Sequence, residues 1–446
     1  MSTIVALSTP RGRGALAVIR LSGPLAINIT TQMCGLGDFE PRKAKLTRLT
    51  REDQIIDEVI LTCFLAPHSV TGEDVVEISC HGSPAVVRQI IDRALELGAV
   101  LAGPGEFTLR ALSNGKINLA QAEGIRDLIS AQTDAAVKQA ARQMNGELSN
   151  ALNPFKEKLV EAIVLLESAL EFVEDDLPAP RLNEIEEMLV SVISCVEKLS
   201  ASFSAGRLLQ DGVRVTIAGR PNVGKSSLFN TLVAHERAIV TEIPGTTRDT
   251  LSEAIDLGGI PVVLTDTAGV RETLDGIETL GIERTHRALC DADLVLVVLD
   301  GTEEIGPADR DLLSRTSESR RLVVMNKSDL PSFKGANSCL GVPQTINVSA
   351  RTGQGLDTLR AAMLDSLNSA GVEDQGLLIT NVRHYDLLCR TKQELELALI
   401  AFRDRYSEEL VLVPLHNSLK YLGQITGETT TEDILSEIFA TFCIGK

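Results

Sequence analysis

The stretch from Gly219 to Ser226, GRPNVGKS, constrains the fold of this chain more than any other. Gly219, Gly224, Lys225 and Ser226 match G-x-x-x-x-G-K-[ST] in full. They follow a strand-like run, VRVTIA, and lead into apolar residues at helical spacing. Such a loop turns backbone N–H groups toward phosphate oxygens at a helix N-terminus, where a lysine neutralises β/γ charge and a hydroxyl ligates magnesium. The surroundings agree. From about 212 to 367, β-like runs (VRVTIAG, AIVTEI, IPVVLTDTAG, ADLVLVVLD, RRLVVMNKSD, PQTINVSA) alternate with helical patterns. That alternation predicts a mainly parallel sheet covered by helices on both faces.

The base is set downstream. NKSD at 326–329 follows the apolar run RLVVM. Asp329 can accept from both the N1–H and the exocyclic N2–H₂ of guanine, and adenine offers no such donor pair; Asn326 and Lys327 would hold the loop and pack along the ring. NVSA at 347–350 supplies a backbone N–H for guanine O6, with Ala350 the expected donor and Ser349 and Arg351 beside it. In DTAG at 266–269, Asp266 would bind magnesium through water and the Gly269 N–H would meet the γ-phosphate, with Thr267 and Ala268 between them. GTTRD at 245–249 reads as a first switch, with Thr247 as the magnesium-ligating hydroxyl beside Ser226. The expected nucleotide shell is completed by Asn222, Val223, Ser227 and the run Thr241, Glu242, Ile243, Pro244, Gly245 and Thr246. Order and spacing together make this segment similar to GTPases of the translation-factor and Ras superfamily. One departure matters. Val270 follows DTAG where Ras-like enzymes place a water-orienting glutamine, and no arginine finger is evident, so another group must neutralise the transition state. Asn222, in the middle of the phosphate loop, is the odd residue; its structural alternative is a loop cap, a common use of asparagine.

A chain of 446 residues exceeds one core, so several domains are expected. Residues 1–118 mix β-like runs (TIVALST, ALAVIRLS, EVILTCFL, DVVEISCHG) with the helical SPAVVRQIIDRALELGA and read as an α/β unit. Residues 119–211 carry helical stripes, Leu159, Ile163, Leu166, Leu170 and Val173, then Ile185, Leu189, Val192, Val196 and Leu199, as in a bundle of long helices. Helical character resumes over 368–446, where Thr429 and Glu432 fit a capping box. The α/β unit at 212–367 is thus expected as an insertion in one all-α helical domain. The absence of a long apolar run or a leader pattern predicts a cytoplasmic protein with no membrane span. The net charge of −18 argues against gripping nucleic acid with the whole surface. The 8 cysteines form no CxxC pair or zinc-like cluster. His81 in SCHGSP reads as a satisfied turn histidine.

GRPNVGKSS, GTTRD, DTAGVR and NKSD, behind an N-terminal α/β unit and with a chain ending FCIGK, closely resemble the tRNA-modification GTPase family called MnmE or TrmE. The resemblance implies GTP hydrolysis coupled to conversion of the tRNA wobble uridine to an aminomethyl or carboxymethylaminomethyl form. It implies a homodimer, the flavoprotein partner MnmG (GidA), and 5-formyl- or methylene-tetrahydrofolate. It gives Asn222 a role as ligand of a potassium ion, with Thr241, Ile243 and Thr246, beside the phosphates. It makes Glu278 the water-positioning catalytic residue, acting with Lys225 and Thr247. It assigns Arg20, Glu77, Lys116 and Lys446 to the folate. Cys443 stays open between nucleophile and pocket wall. The rival reading is an RNA-binding ribosome-assembly GTPase without modifying activity.

Overall fold

A computed structural model describes residues 2–35, 40–52, 54–171, 179–239, 251–266, 289, 291–334, 345–367 and 376–445. The chain divides into two compact units, one of residues 1–126, 143–153 and 420–446, the other of residues 127–142 and 154–419.

The first unit is built on a six-stranded sheet of order β3-β4-β5-β2-β1-β6. Its strands are β1 (Ile4–Leu7), β2 (Leu16–Ser22), β3 (Lys45–Arg51), β4 (Gln54–Phe64), β5 (Val75–His81) and β6 (Val100–Leu101). All neighbours are antiparallel except β1 and β6. Period-two alternation sends Ile19, Leu21, Val59, Leu61 and Ile78 into one core with Ile29, Met33 and Ile90 from the helices Ala26–Cys34 and Pro84–Glu96. Pro84 opens the second helix, where its missing N–H costs nothing. The edge strand β3 was not evident from sequence. It buries only Leu49, and its charged Lys45, Arg48 and Arg51 guard an open edge.

Residues far along the chain complete this unit. The Ser8 hydroxyl donates to Gly445 O at 3.0 Å, Ile444 bridges to Pro104, and Phe439 and Phe442 pack with Leu119 and Ala122. Gly445 has φ +95°, and a Cβ there would lie 2.1 Å from Leu7 O, so only glycine fits. The expected capping box is not formed. The last helix, Glu432–Ala440, starts after Thr431, while the Thr429 hydroxyl donates to Lys420 O at 3.0 Å. Thr429 thus satisfies a carbonyl of the preceding helix, Glu408–Thr426, instead of an amide of the next.

The second unit contains a seven-stranded sheet of order β13-β12-β11-β7-β10-β9-β8. Its strands are β7 (Val213–Ala218), β8 (Arg237–Ala238), β9 (Leu251–Leu257), β10 (Ile260–Asp266), β11 (Leu294–Asp300), β12 (Arg321–Asn326) and β13 (Thr345–Asn347). The strands from β13 to β10 are parallel, and β9 and β8 extend the sheet antiparallel. Every residue of β11 is buried. Leu296 and Val298 point into one core with Val215 and Ile217, while Val295, Val297 and Leu299 enter a second on the opposite face. Both faces are therefore covered, as a parallel sheet requires. Because β7 lies between β11 and β10, strand order reverses beside it, and a ligand crevice opens at the carboxyl ends of these strands.

Most of the helical stripes are buried, Leu170 and Leu199 are half-buried, and Val173 lies outside the described residues. Leu159, Ile163 and Leu166 lie within the helix Glu147–Glu171, and Ile185, Leu189, Val192 and Val196 within Ala179–Ala201. The latter helix packs along Val382–Arg403, with Lys392–Glu197 and Arg403–Glu186 ion pairs at 2.9 and 2.7 Å. Among the described residues one stretch, Leu182–Asp211, meets the length and composition of a membrane-crossing helix, a test that the core helix of a soluble bundle also passes.

Candidate GTP site

The phosphate loop sits where the fold places it, between the buried strand β7 and the helix Lys225–His235. Its turn needs left-handed backbone at Asn222 (φ +66°) and at Gly224 (φ +94°), the residue at the helix N-cap position. A Cβ on Gly224 would fall 2.2 Å from Asn326 Nδ2, and one on Gly219 would fall 2.5 Å from Val298 O. Close approach demands both glycines, and at Gly224 the left-handed conformation demands one as well. Lys225 is buried, and its ammonium crosses the loop to donate to Arg220 O at 2.8 Å. The Ser226 hydroxyl donates to Asp266 Oδ2 at 2.7 Å. A hydroxyl and a fully buried carboxylate joined in this way form an all-oxygen donor set beside a phosphate cradle, which suits magnesium. Val223 is buried, whereas Asn222 and Ser227 are exposed. Among the described residues, none bonds the Asn222 side chain. Among the described residues it makes no capping bond to the loop.

The base end of the site is an interlocked set. Asn326, at the end of β12, donates to Val223 O at 2.8 Å and accepts from Ala350 N at 3.0 Å. One buried amide therefore ties the phosphate loop to the NKSD and NVSA segments. Because the Ala350 N–H already serves Asn326, a guanine O6 would have to share or displace it. The buried Ser349 hydroxyl donates to Asp329 Oδ1 at 2.7 Å and fixes the carboxylate, and because each oxygen has two lone pairs both can still accept from a base. Lys327 takes a left-handed backbone, φ +68°, and its ammonium pairs with Asp300. Arg351 is exposed.

Several members of this assembly were not foreseen. Asp300 ends β11 as Asp266 ends β10, and that shared place at a strand's carboxyl end was the available signal. Burial alone would raise the Asp300 carboxyl. Hydrogen bonds from Lys327 and Thr302, with the Lys327 charge, outweigh it and hold the group below its ordinary value. Arg220, inside the phosphate loop, donates to the buried Asp309 at 2.6 Å and to Glu303 at 3.2 Å. Burial opposes its charge, yet these two partners push its guanidinium further up. Thr231 donates to Ala350 O at 2.7 Å, joining the helix after the loop to the base-binding segment.

The remaining expected residues divide into those the structure describes and those it does not. Thr241, Glu242, Ile243, Pro244, Gly245, Thr246, Thr247, Thr267, Ala268, Gly269, Glu278 and Lys446 lie outside the described residues. In the first unit, Arg20 and Glu77 face each other across β2 and β5 and form an ion pair at 2.7 Å, with the guanidinium 5.7 Å from the Phe107 ring centre. The Lys116 ammonium is engaged elsewhere, by Pro67 O at 2.9 Å. Cys443 is an exposed free thiol whose carbonyl accepts from Gly105 N. His81 pairs with Asp57 at 2.7 Å.

Strand order, phosphate loop and interlocked base segment define a P-loop GTPase. Family models add the rest of the chain. That for the GTP-binding protein TrmE N-terminus matches residues 3–116, and that for the MnmE helical domain matches residues 119–443. Among similar proteins is a tRNA modification GTPase MnmE of Koribacter versatilis, 43% identical, with 100% of this chain and 99% of that protein covered. Another, from Aquifex aeolicus, is 40% identical with 99% of each covered. The solved G domain of the T. maritima FeoB iron transporter is 27% identical with a TM-score of 0.26, covering 34% of this chain and 98% of that one. The chain belongs to the MnmE family of tRNA modification GTPases.

Proposed function

We propose that this protein is a potassium-stimulated GTP hydrolase that acts with a flavoprotein partner, MnmG, to modify the wobble uridine of tRNA in the cytoplasm. The observation that carries the nucleotide half is the Asn326 bridge, which holds phosphate loop and base segment as one rigid receptor. In the described part, Lys225 and the loop amides would bind the β- and γ-phosphates, Ser226 would ligate magnesium with Asp266 acting through water, and Asp329 would select guanine. Magnesium, when bound, draws charge from the phosphate oxygens. Thr247 would complete its shell and Glu278 would position the attacking water.

Potassium fits the same site through Asn222. Left-handed backbone and an amide unengaged by any described residue suit a carbonyl ligand beside the phosphates. Thr241, Ile243 and Thr246 would supply the other oxygens, and the ion would stand in for the missing arginine finger. For the first unit the proposal is a dimerising domain of residues 1–118 that holds 5-formyl- or methylene-tetrahydrofolate. The joined Arg20–Glu77 edge would meet the pterin, and Lys116 and Lys446 the glutamyl carboxylates, with Cys443 nearby in the chain. The helical domain, 119–211 with 368–446, would carry the inserted GTPase module, 212–367.

Deleting the gene and analysing wobble uridines by mass spectrometry tests the whole reading. Loss of the aminomethyl-type modification is expected. Unchanged uridines with a ribosome-assembly defect would favour the non-modifying GTPase instead.

A further inference from the structure

The hairpin of β9 and β10 joins the two switch motifs, since a single residue separates GTTRD from Leu251 and Asp266 opens DTAG. Its near end is therefore the catalytic end: Leu251 pairs with Asp266, and Asp266 accepts from Ser226. Its far end is a two-residue turn, Gly258 (φ +60°) and Gly259 (φ +87°), between the paired residues Leu257 and Ile260. Two successive left-handed residues match the turn to the twist of the strands, and Asp256 accepts from Gly259 N at 2.7 Å to lock it.

That tip is held from outside the sheet. The Thr133 hydroxyl donates to Gly259 O at 2.6 Å, in a contact where both residues are buried. Thr133 Oγ1 in turn accepts from Ala136 N at 3.2 Å, so Thr133 also caps the helix Asp134–Met144. Further along that helix, the buried Gln139 donates to Gly376 O at 2.8 Å and accepts from Leu378 N at 3.2 Å, seizing the chain as it leaves the GTPase segment. Ala135, Leu209 and Leu378 belong to one core with β7 and β10. A close approach on the entering chain reinforces the anchor: a Cβ on Gly212 would lie 2.6 Å from Pro261 O.

We infer that Thr133 is a positioning residue for GTP hydrolysis, fixing the hairpin that carries both switch motifs from a helix that lies outside the GTPase segment. This rests on the reading of the site as a GTPase. The hairpin is hydrogen-bonded along its full length, so it moves as one piece. A displacement at Asp266 is felt at Gly259, roughly 23 Å away along the strand. The Thr133 bond resists such a displacement, and by linkage the nucleotide that moves the hairpin alters how firmly Thr133 and the first turns of its helix are held. Residues 135–140 thus report the nucleotide state.

The full chain with Thr133→Val or Thr133→Ser separates this from a merely structural role. Steady-state GTP turnover in magnesium and potassium should show kcat about fivefold lower for T133V, with KM within about twofold of the parent, because the perturbed group acts on the switch end and not on ground-state binding. T133S keeps the hydroxyl and should restore kcat to within about twofold of the parent. Hydrogen exchange of amides 135–140 in the parent should be slower with a non-hydrolysable GTP analogue than with GDP, and T133V should erase that difference. The inference is overturned by a T133V enzyme with parental kcat, by equal losses for T133V and T133S, or by parental exchange that ignores the nucleotide. A parent unable to hydrolyse GTP would refute the GTPase reading itself, which is a distinguishable result.

Discussion

Replacing Asp329 by asparagine should convert the site from guanine to xanthine. In the structure one carboxylate oxygen accepts from the Ser349 hydroxyl at 2.7 Å, and Ser349 is fully buried, so the group cannot swing away to relieve a mismatch. Guanine presents two donors to this carboxylate, and a hydrogen bond to a charged acceptor contributes about 1.5–3 kcal/mol. Asparagine keeps one acceptor but sets an amide donor against a guanine donor. The loss is one charge-assisted bond plus a donor–donor contact, about 3 kcal/mol together, or roughly two orders of magnitude in Kd. Xanthine has a carbonyl at C2, which accepts from the new amide, so xanthosine diphosphate should bind the variant better than GDP. Competition against a fluorescent GDP at fixed magnesium and potassium measures both affinities. A D329N protein that holds GDP within about tenfold of the parent, or gains nothing for xanthosine diphosphate, would show that Asp329 does not read the base.

Four further outcomes follow from the same geometry. GTP turnover should be several-fold faster in potassium than in sodium, and Asn222→Ala should abolish the difference; equal parental rates in the two salts would remove potassium from the proposal. Arg220→Ala leaves Asp309 buried without its partner, and the GTPase module should lose about 2–3 kcal/mol in urea unfolding, whereas a loss under about 0.5 kcal/mol would contradict that pairing. The Asp300 carboxyl is lowered on folding, so its contribution is complete above the ordinary carboxylate range and is lost as pH falls through the depressed value. Asp300→Asn should accordingly flatten the acid limb of the stability profile, and an unchanged limb in the variant would dismiss Asp300 as its source. Under mild alkylation, mapped by mass spectrometry, exposed Cys443 should react well before Cys80, whose thiol is pushed up to about 11 by burial and by the charge of Asp57.

What the sequence disclosed about the site is what the site builds locally. Gly219, Gly224, Lys225 and Ser226 occupy consecutive turns of one loop, so spacing alone reports their geometry. Asp266 and Asn326 end apolar strands, and that position is also legible. The ties between segments are not. Arg220 finds Asp309 and Lys327 finds Asp300 only because the parallel sheet brings strand ends side by side, a consequence of strand order that no local pattern carries. The same holds for the bond between the Ala350 amide and Asn326 Oδ1, which joins two segments distant in the chain. In the helical part, the stripe Ile185, Leu189, Val192 and Val196 was readable because burial repeats along one helix face. Thr429 misled because a hydroxyl three residues before a glutamate looks the same whether it serves the next helix or the last one.

The stitching of the first unit by Ser8 and Gly445 spans 437 positions of the chain. Strands β1 and β2 leave the ribosome first, yet the backbone that lies against Leu7 and Pro104 is made 437 positions after Ser8. At roughly 5–20 residues per second, the earliest-made sheet waits tens of seconds for that partner. The nucleotide-binding module, whose strands all lie between Val213 and Asn347, can close during that wait. In the order of synthesis, the sheet that precedes the nucleotide-binding module is completed after it.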